Sequence, residues 1–176
     1  ADGKVIRISD LYSEKVLHKD DQWEPKKVDP TLMNYPAQGD GYVTVIQTGK
    51  PEYQWSDATL NFKRPNKNNL VIYEAWVYDH TVTRDIQGMT NRMFYYKDMG
   101  INAIELMPIQ EFNGNLSWGY SPNHYFALDK AYGTPEQFKE FVDSCHAAGI
   151  AVILDMVFNY ATGLNPMNKL YPYGDD

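Results

Sequence analysis

The sequence predicts an α/β protein in which parallel strands alternate with helices. Three apolar runs of strand length begin near residues 70, 103 and 150, and two amphipathic helices are predicted between them. These runs contain few polar residues, which is typical of strands covered on both faces. The order strand, helix, strand, helix, strand therefore favours a parallel sheet.

The first strand is predicted over residues 70–77, where Glu74 interrupts an otherwise apolar run. A helix is predicted from about residue 83 to Gly100, because glycine is a common C-terminal cap. Apolar residues three and four positions apart predict its buried side, namely Ile86, Met89, Met93 and Tyr96. The second strand is predicted over residues 103–107.

The second helix has the clearest start signal in the chain. Residues 134–137 read Thr-Pro-Glu-Gln. The threonine can cap the helix, the proline suits the first helical position, and the glutamine can complete a capping box. The apolar stripe of this helix is predicted to be Phe138, Phe141, Val142 and Cys145. Gly149 is predicted to end the helix, and the third strand covers residues 150–155.

Residues 1–66 are predicted to contain short β-segments joined by loops. Residues 5–9 and 42–47 are β-rich, and turn-forming residues lie between them. This part of the chain is interpreted as the tail of a β-domain followed by a connector. The second predicted part, residues 67–176, contains the alternating strands and helices.

Composition bears on several classes of function. The net charge is −7, and no run of lysine or arginine is longer than two residues, so nucleic-acid binding is not predicted. No apolar run approaches the roughly 18 residues of a membrane-spanning helix. Cys145 is the single cysteine, which excludes an internal disulfide. Aromatic residues make up 14% of the chain, and each ring either packs the interior or stacks on a flat ligand such as a sugar.

Candidate functional residues lie where the predicted strands end, because ligands bind at the carboxyl ends of parallel strands. Asp155 ends an apolar strand, and its carboxylate there requires a ligand, a salt bridge or a helix terminus to offset desolvation. Glu74 and Glu105 lie inside the first and second strands, so a structural role is favoured for both.

A long loop without helix or strand is predicted over residues 110–133. Loops of such length are usually functional. Trp118 and Tyr120 lie on this loop, and their rings could stack on the apolar face of a sugar. Packing against the protein interior is the alternative for each ring.

Several segments resemble the α-amylase family of glycoside hydrolases. Residues 155–160 (Asp-Met-Val-Phe-Asn-Tyr) resemble the motif that ends the third barrel strand of that family. Residues 118–126 are similar to the loop after the second strand in its branching and debranching members. Residues 70–74 and 100–108 resemble the first two strands, and residues 11–16 resemble a connector from a preceding β-sandwich domain.

The resemblance implies a partial (β/α)8 barrel that contains about the first three strands and two helices. It further implies retaining hydrolysis or transfer at α-1,4 or α-1,6 bonds of α-glucans. That chemistry uses two carboxylates about 5–5.5 Å apart. In the family they follow the fourth and fifth strands, so both are expected beyond residue 176. We therefore expect no catalytic residue in this chain and no hydrolysis by the chain alone.

The resemblance assigns supporting roles to residues that this chain does contain. Asp155 would help to hold the sugar at the cleavage site, and the ring of Tyr120 would stack beneath it. Trp118 and Tyr160 are further substrate-binding candidates. Asn159 matches an asparagine that binds calcium in many family members, so calcium is the predicted cofactor.

Two departures from the family pattern leave other interpretations open. Tyr160 stands where the family has a histidine that contacts the sugar, and Tyr78 and His80 stand where arginine and phenylalanine are common. A relative that binds glycans without cleaving them is therefore one alternative, and an unrelated α/β domain is another. The predicted partner is an α-glucan or oligosaccharide, with no nucleic acid and no membrane. Exposed sheet edges also predict self-association.

Overall fold

The computed structural model describes residues 3, 5–23, 29–114, 116–159 and 161–171. In chain order its strands and helices are β1 (Val16–Leu17), β2 (Val43–Thr44), α1 (Asp57–Leu60), β3 (Ile72–Ala75), α2 (Val77–His80), α3 (Ile86–Thr90), α4 (Met93–Asp98), β4 (Ala103–Leu106), β5 (Gln110–Phe112), β6 (Pro122–Leu128), α5 (Pro135–Ala147), β7 (Ala151–Leu154) and α6 (Pro166–Leu170). Among the described residues, no helix is long and apolar enough to span a bilayer.

The chain divides into two compact units. The sheet unit contains Gly49–Ile109 and Tyr132–Asp155. The hairpin unit contains Ala1–Thr48, Gln110–Ala131 and Met156–Asp176. A domain boundary near residue 66 stays a prediction.

The sheet unit contains the predicted parallel sheet. Its strands lie in the order β3-β4-β7, and both neighbouring pairs are parallel. One face contains Ile104 and Leu106, which are fully buried. Helices α3 and α5 pack against each other in this unit, and their buried residues include Met89 and Phe141. The predicted order of strands and helices is confirmed.

The predicted helix from residue 83 to Gly100 is instead two short helices. Arg84 has a φ of 58°, so the backbone cannot be helical there, and Asp85 caps α3 by accepting a hydrogen bond from the Gly88 amide. The chain leaves helical geometry between α3 and α4 at Arg92, which has a φ of −101° and a ψ of 15°. Gly100 follows with a φ of 70°, as the predicted C-terminal glycine requires.

The predicted structureless loop over residues 110–133 is wrong. This segment forms the antiparallel pair β5 and β6, which is irregular in register around Glu111. The polar residues of these strands are typical of loops, but Gln110, Glu111, Asn123 and His124 are buried, and Glu111 pairs with Lys130 outside the two strands. The rings at Trp118 and Tyr120 therefore lie on the shorter connection between two strands.

The early β-segments also differ from expectation. Residues 5–9 form no strand, and Val5 is 88% exposed. The segment at 42–47 contains only the two-residue strand β2, which pairs with β1. Strand β1 was not predicted, because two residues are too few to give a periodic signal.

Candidate functional site

The carboxyl edge of the parallel sheet is where the structure places Asp155. The Met107 amide donates to the Ala75 carbonyl at 3.0 Å, and the Asp155 amide donates to the Leu106 carbonyl at 3.0 Å. The hydrogen bonds between neighbouring strands thus continue one residue past the end of β4 and one residue past the end of β7. Asp155 is half-buried and is fixed at the edge by its own backbone.

Two further carboxylates lie on the same face of the sheet as Asp155. Glu74 and Glu105 are in register on neighbouring strands, opposite Ile153 of β7. Side chains alternate along a strand, so Ile153 and Asp155 share this face. Glu74 is exposed and Glu105 is half-buried within the sheet unit. Both lie within strands as predicted, and Asp155 alone of the three lies at the edge.

An aromatic group after β3 was not predicted. Trp76 follows this strand directly, and its indole nitrogen donates a hydrogen bond to the Tyr132 hydroxyl at 3.1 Å. The Trp76 ring also stacks on Tyr78, with centroids 5.1 Å apart. The Arg84 guanidinium lies 4.6 Å from the centroid of the same tyrosine. The first predicted strand, residues 70–77, includes Trp76, whereas β3 ends at Ala75, so the position of Trp76 at the carboxyl edge was not predicted.

The hairpin unit presents the two rings predicted to stack on sugars. Trp118 is 63% exposed and Tyr120 is 37% exposed, both on the connection between β5 and β6. Gly119 between them has a φ of 89°, a conformation that favours glycine, and its amide donates to the Ser117 hydroxyl at 3.0 Å. Exposure of both rings fits ligand contact better than interior packing.

A buried ion cluster joins β5 to the residues that directly follow β6. The Lys130 ammonium pairs with the Glu111 carboxylate and lies 3.3 Å from Asp21. Asp129 accepts a hydrogen bond from the Phe112 amide at 3.2 Å. Burial alone would lower the pKa of Lys130, but the carboxylates of Glu111, Asp129 and Asp21 outweigh it and raise that pKa. Lys130 therefore stays charged in the interior.

A second set of buried polar residues lies beside this cluster. The Ser9 hydroxyl is 2.8 Å from Nε2 of His124, and burial lowers the pKa of His124 to about 4. Asn123 donates a hydrogen bond to the Tyr42 hydroxyl at 3.0 Å, and Tyr42 donates to the Phe112 carbonyl. These contacts join the N-terminal segment to β5 and β6 within the hairpin unit. Local sequence patterns do not predict these contacts, because the partners are far apart along the chain.

The predicted calcium ligand is an exposed side chain. Asn159 follows Phe158 in the hairpin unit, and its side chain is exposed. Calcium takes six to eight oxygen ligands, usually including carboxylates. Among the residues that the structure describes, no group of three or more histidine, cysteine, aspartate or glutamate side chains could hold a metal ion. Calcium binding by Asn159 therefore stays a prediction.

The predicted substrate-binding residues are divided between the two units. Asp155 belongs to the sheet unit, whereas Trp118, Tyr120 and Asn159 belong to the hairpin unit. Tyr160 lies outside the described residues. A cluster formed by these side chains therefore stays a prediction.

The parallel strands alternate with helices, so this part of the chain is a β/α domain. The functional site of such a domain is expected at the carboxyl edge of the sheet, where Asp155 lies. A family model described as the catalytic domain of α-amylase matches residues 53–167. The chain therefore belongs to the α-amylase family, and its parallel sheet is part of a (β/α)8 barrel.

Relatives in this family include proteins that act on different glucans. A malto-oligosyltrehalose trehalohydrolase from Saccharolobus solfataricus is 34% identical over 169 residues, which are 96% of this chain and 28% of that protein. A 1,4-α-glucan branching enzyme from Xanthomonas oryzae is 36% identical and matches 76% of this chain and 19% of its own length. A crystal structure from Salmonella typhimurium, provisionally described as an α-amylase, has a TM-score of 0.65 and 30% identity, covering 74% of this chain and 22% of that one. The chain thus spans about a quarter of the length of these relatives.

Proposed function

We propose that this chain is the first part of the catalytic barrel of a retaining enzyme that hydrolyses or transfers α-glucans. The position of Asp155, directly after the third parallel strand, is the observation that supports this proposal most strongly. The relatives named as trehalohydrolase and branching enzyme support an α-glucan as the substrate class.

In this proposal Asp155 binds the sugar at the cleavage site, and it does not attack the sugar. Retaining chemistry requires a nucleophile and an acid at a short fixed separation, which the family supplies from later strands. Tyr120 and Trp118 provide aromatic surfaces for sugar rings, since both are exposed on the connection between β5 and β6. The ion cluster around Lys130 contacts β5 through Glu111.

The experiment is a turnover assay on a longer protein that contains this chain and the rest of the barrel. Maltoheptaose is the substrate, and the products are separated by chromatography. We expect Asp155→Asn to lower kcat/KM about 100-fold, because a misplaced sugar reacts far more slowly. Asp98→Asn is the matched control, since Asp98 is exposed at the end of α4, just before β4 begins, and should leave kcat/KM within about twofold. Equal values of kcat/KM for the two variants would show that Asp155 does not bind the sugar at the cleavage site.

The second candidate is a glycan-binding relative that does not cleave its ligand. The tyrosine at position 160, where the family has histidine, favours this candidate. It predicts that the longer protein binds maltoheptaose without turnover. Turnover that appears only in Tyr160→His would support it, whereas turnover by the unaltered protein would exclude it.

A further inference from the structure

An open pocket with two arginines lies within the sheet unit, between the end of β3 and the start of α4. Its volume is about 700 Å³, inside the range of roughly 300–1,000 Å³ that small-molecule sites occupy. Residues of α2, of the loop after it, of α3 and of the junction with α4 line the pocket. The structure describes every residue of the sheet unit, so the wall that this unit contributes is completely described.

Positive charge is concentrated in this pocket, although the net charge of the chain is −7. Arg84 and Arg92 both line it, and Asp79 is the one carboxylate among its lining residues. None of the ion pairs between described residues includes either arginine. Burial, and then the charge of Arg92, lower the pKa of His80, so this imidazole is neutral near pH 7. The pocket therefore presents two guanidinium groups and one carboxylate.

The carboxylate next to Arg84 in the sequence is occupied by other donors. Asp85 accepts hydrogen bonds from the Thr83 hydroxyl at 2.9 Å and from the Gly88 amide at 2.8 Å. Because Thr83 gives its hydroxyl proton to Asp85, the Thr81 hydroxyl donates to Thr83 at 3.1 Å. The Arg84 amide donates to the Thr81 hydroxyl at 3.2 Å. These bonds fix the loop without using the guanidinium group.

Arg84 has a strained backbone that orients its side chain. Among the described residues it is the one non-glycine residue with a positive φ, 58°. Strain of this kind is found most often at functional sites. The guanidinium lies 4.6 Å from the centroid of Tyr78 and donates a hydrogen bond to the Tyr78 hydroxyl, and Trp76 stacks on the same tyrosine. Glycine would adopt this φ without strain, so a role for the guanidinium group explains why arginine is found there.

Arg92 is oriented in a similar way. Its guanidinium donates to the His80 carbonyl at 3.0 Å and lies 5.1 Å from the centroid of Tyr95. The His80 ring is fixed in turn, because its Nε2 is 2.6 Å from the hydroxyl of the buried Tyr96. Each guanidinium thus rests on one aromatic ring and gives one hydrogen bond to the protein. A guanidinium has five N–H donors, so both arginines keep donors for a ligand.

We propose that this pocket binds a phosphate group, either free or carried by a sugar. The planar fork of N–H donors in arginine binds two phosphate oxygens at once. A phosphate ester carries a charge of about −1.5 to −2 near pH 7 and three acceptor oxygens, which suits two guanidinium groups and the amide of Asn91. A neutral ligand would leave both arginines without a counter-charge. The pocket is larger than a phosphate group alone requires, which leaves room for a sugar beside it.

Titration calorimetry tests the proposal on the longer protein that contains this chain and the rest of the barrel. We expect inorganic phosphate to bind, glucose 6-phosphate to displace it and glucose not to displace it. Arg84→Gly should weaken phosphate binding about tenfold, because charge-assisted hydrogen bonds are lost. Glycine suits the φ of 58°, so this variant should melt no lower than the unaltered protein. Lys97→Met is the matched control, since Lys97 is exposed on α4 outside the pocket and its loss should change the affinity by no more than about twofold.

The same titrations distinguish the two sources of phosphate. Tighter binding of glucose 6-phosphate than of inorganic phosphate would support a phosphorylated sugar, and equal affinities would support free phosphate. Asp155→Asn should leave phosphate binding within about twofold, because Asp155 does not line the pocket. A failure of this proposal is therefore distinguishable from a failure of the proposed function. Equal phosphate affinity in Arg84→Gly and in the unaltered protein would overturn the proposal.

NMR of the unaltered protein with labelled arginine gives a second measurement that does not depend on a variant. Inorganic phosphate should shift the side-chain Nε–H resonances of Arg84 and Arg92. The resonance of Arg64 should stay in place, because Arg64 is exposed in the sheet unit and does not line the pocket. Unshifted resonances of both pocket arginines would overturn the proposal. An equal shift at Arg64 would overturn it too, because the phosphate would then be attracted to any exposed arginine.

Discussion

Lys130 is 4% exposed and lies among carboxylates that come from different parts of the hairpin unit. Its ammonium pairs with Glu111 and Asp21, and the Lys130 amide donates to Glu111 as well. Removing one member of a buried ion cluster leaves the remaining charges without a partner in a medium of low dielectric. The residues around Lys130 are therefore those at which substitution should matter most for stability.

Substitution of Lys130 by methionine should lower the free energy of unfolding of the hairpin unit by about 3–5 kcal/mol. The expected cause is the desolvated charge left on Glu111 and Asp21. Urea unfolding followed by circular dichroism measures this loss of unfolding free energy. Lys50→Met is the control, since the Lys50–Glu136 pair at 2.7 Å is partly exposed and should contribute at most about 1 kcal/mol. A Lys130 variant as stable as the Lys50 variant would contradict a buried cluster.

His124 should make stability depend on pH. Burial lowers its pKa to about 4 in the folded protein, whereas an unfolded histidine titrates near pH 6.5. Between these values the unfolded chain binds the proton and the folded chain does not, so stability falls as pH falls through this window. Relative to His124→Gln, the unaltered chain should lose up to about 1.4 kcal/mol per pH unit from about pH 6 to pH 4. If the unfolding free energies of the two proteins change with pH in the same way, His124 does not contribute to the pH dependence of stability.

At the scale of elements, α5 was predictable because its signals are local. Thr134 accepts a hydrogen bond from the Gln137 amide at 3.2 Å, and the Gln137 side chain accepts one from the Thr134 amide at 2.9 Å. All of these groups lie within four residues. The strand order followed from apolar runs of similar length, which are also local.

Strands β5 and β6 were not predictable for the opposite reason. Glu111, Asn123 and Asp129 are polar residues that local patterns assign to a loop. Their burial depends on partners that are distant along the chain, such as Asp21 with Lys130 and Ser9 with His124. The spacing of apolar and polar residues within a short stretch of sequence cannot predict pairs between such distant residues. Trp118 and Tyr120 are exposed on the connection between these strands, and their contact with a sugar stays a prediction.

Removal of the cap should weaken α5 by a modest amount. Thr134→Ala leaves the first-turn amide of Gln137 without its acceptor and should lower the unfolding free energy of the sheet unit by about 1 kcal/mol. Ser144→Ala, inside the same helix, should be neutral or slightly stabilising because alanine has the higher helix propensity. Thermal melts of both variants measure the difference. A Ser144 variant that melts below the Thr134 variant would refute the role of the cap.

At the scale of the whole molecule, the sheet has open strands at both sides. Within the described residues, β3 and β7 each pair on one side only in the three-stranded sheet. Val71 is 53% exposed, Ile72 47% and Leu154 41%. Unpaired strand edges and exposed apolar side chains favour association. We expect the 176-residue chain to form dimers or larger assemblies at micromolar concentration.

Light scattering coupled to size-exclusion chromatography measures this association over a dilution series. Replacement of Val71 and Ile72 by lysine should shift the mass towards the monomer, because charged residues on an edge strand oppose pairing. A monomer at every concentration of the unaltered chain would contradict the prediction. An unchanged mass in the lysine variant would place the interface elsewhere.

We propose that this chain contributes binding residues to an α-glucan-active barrel and that the catalytic pair lies in later strands of the barrel. The direct test is a reducing-sugar assay on maltooligosaccharides that compares the 176-residue chain with a longer protein containing the complete barrel. We expect turnover by the longer protein and none by the short chain, because the two carboxylates of the retaining mechanism must lie at a fixed short distance on rigid elements. Turnover by the short chain that disappears in Asp155→Asn would contradict the claim, because Asp155 would then be catalytic.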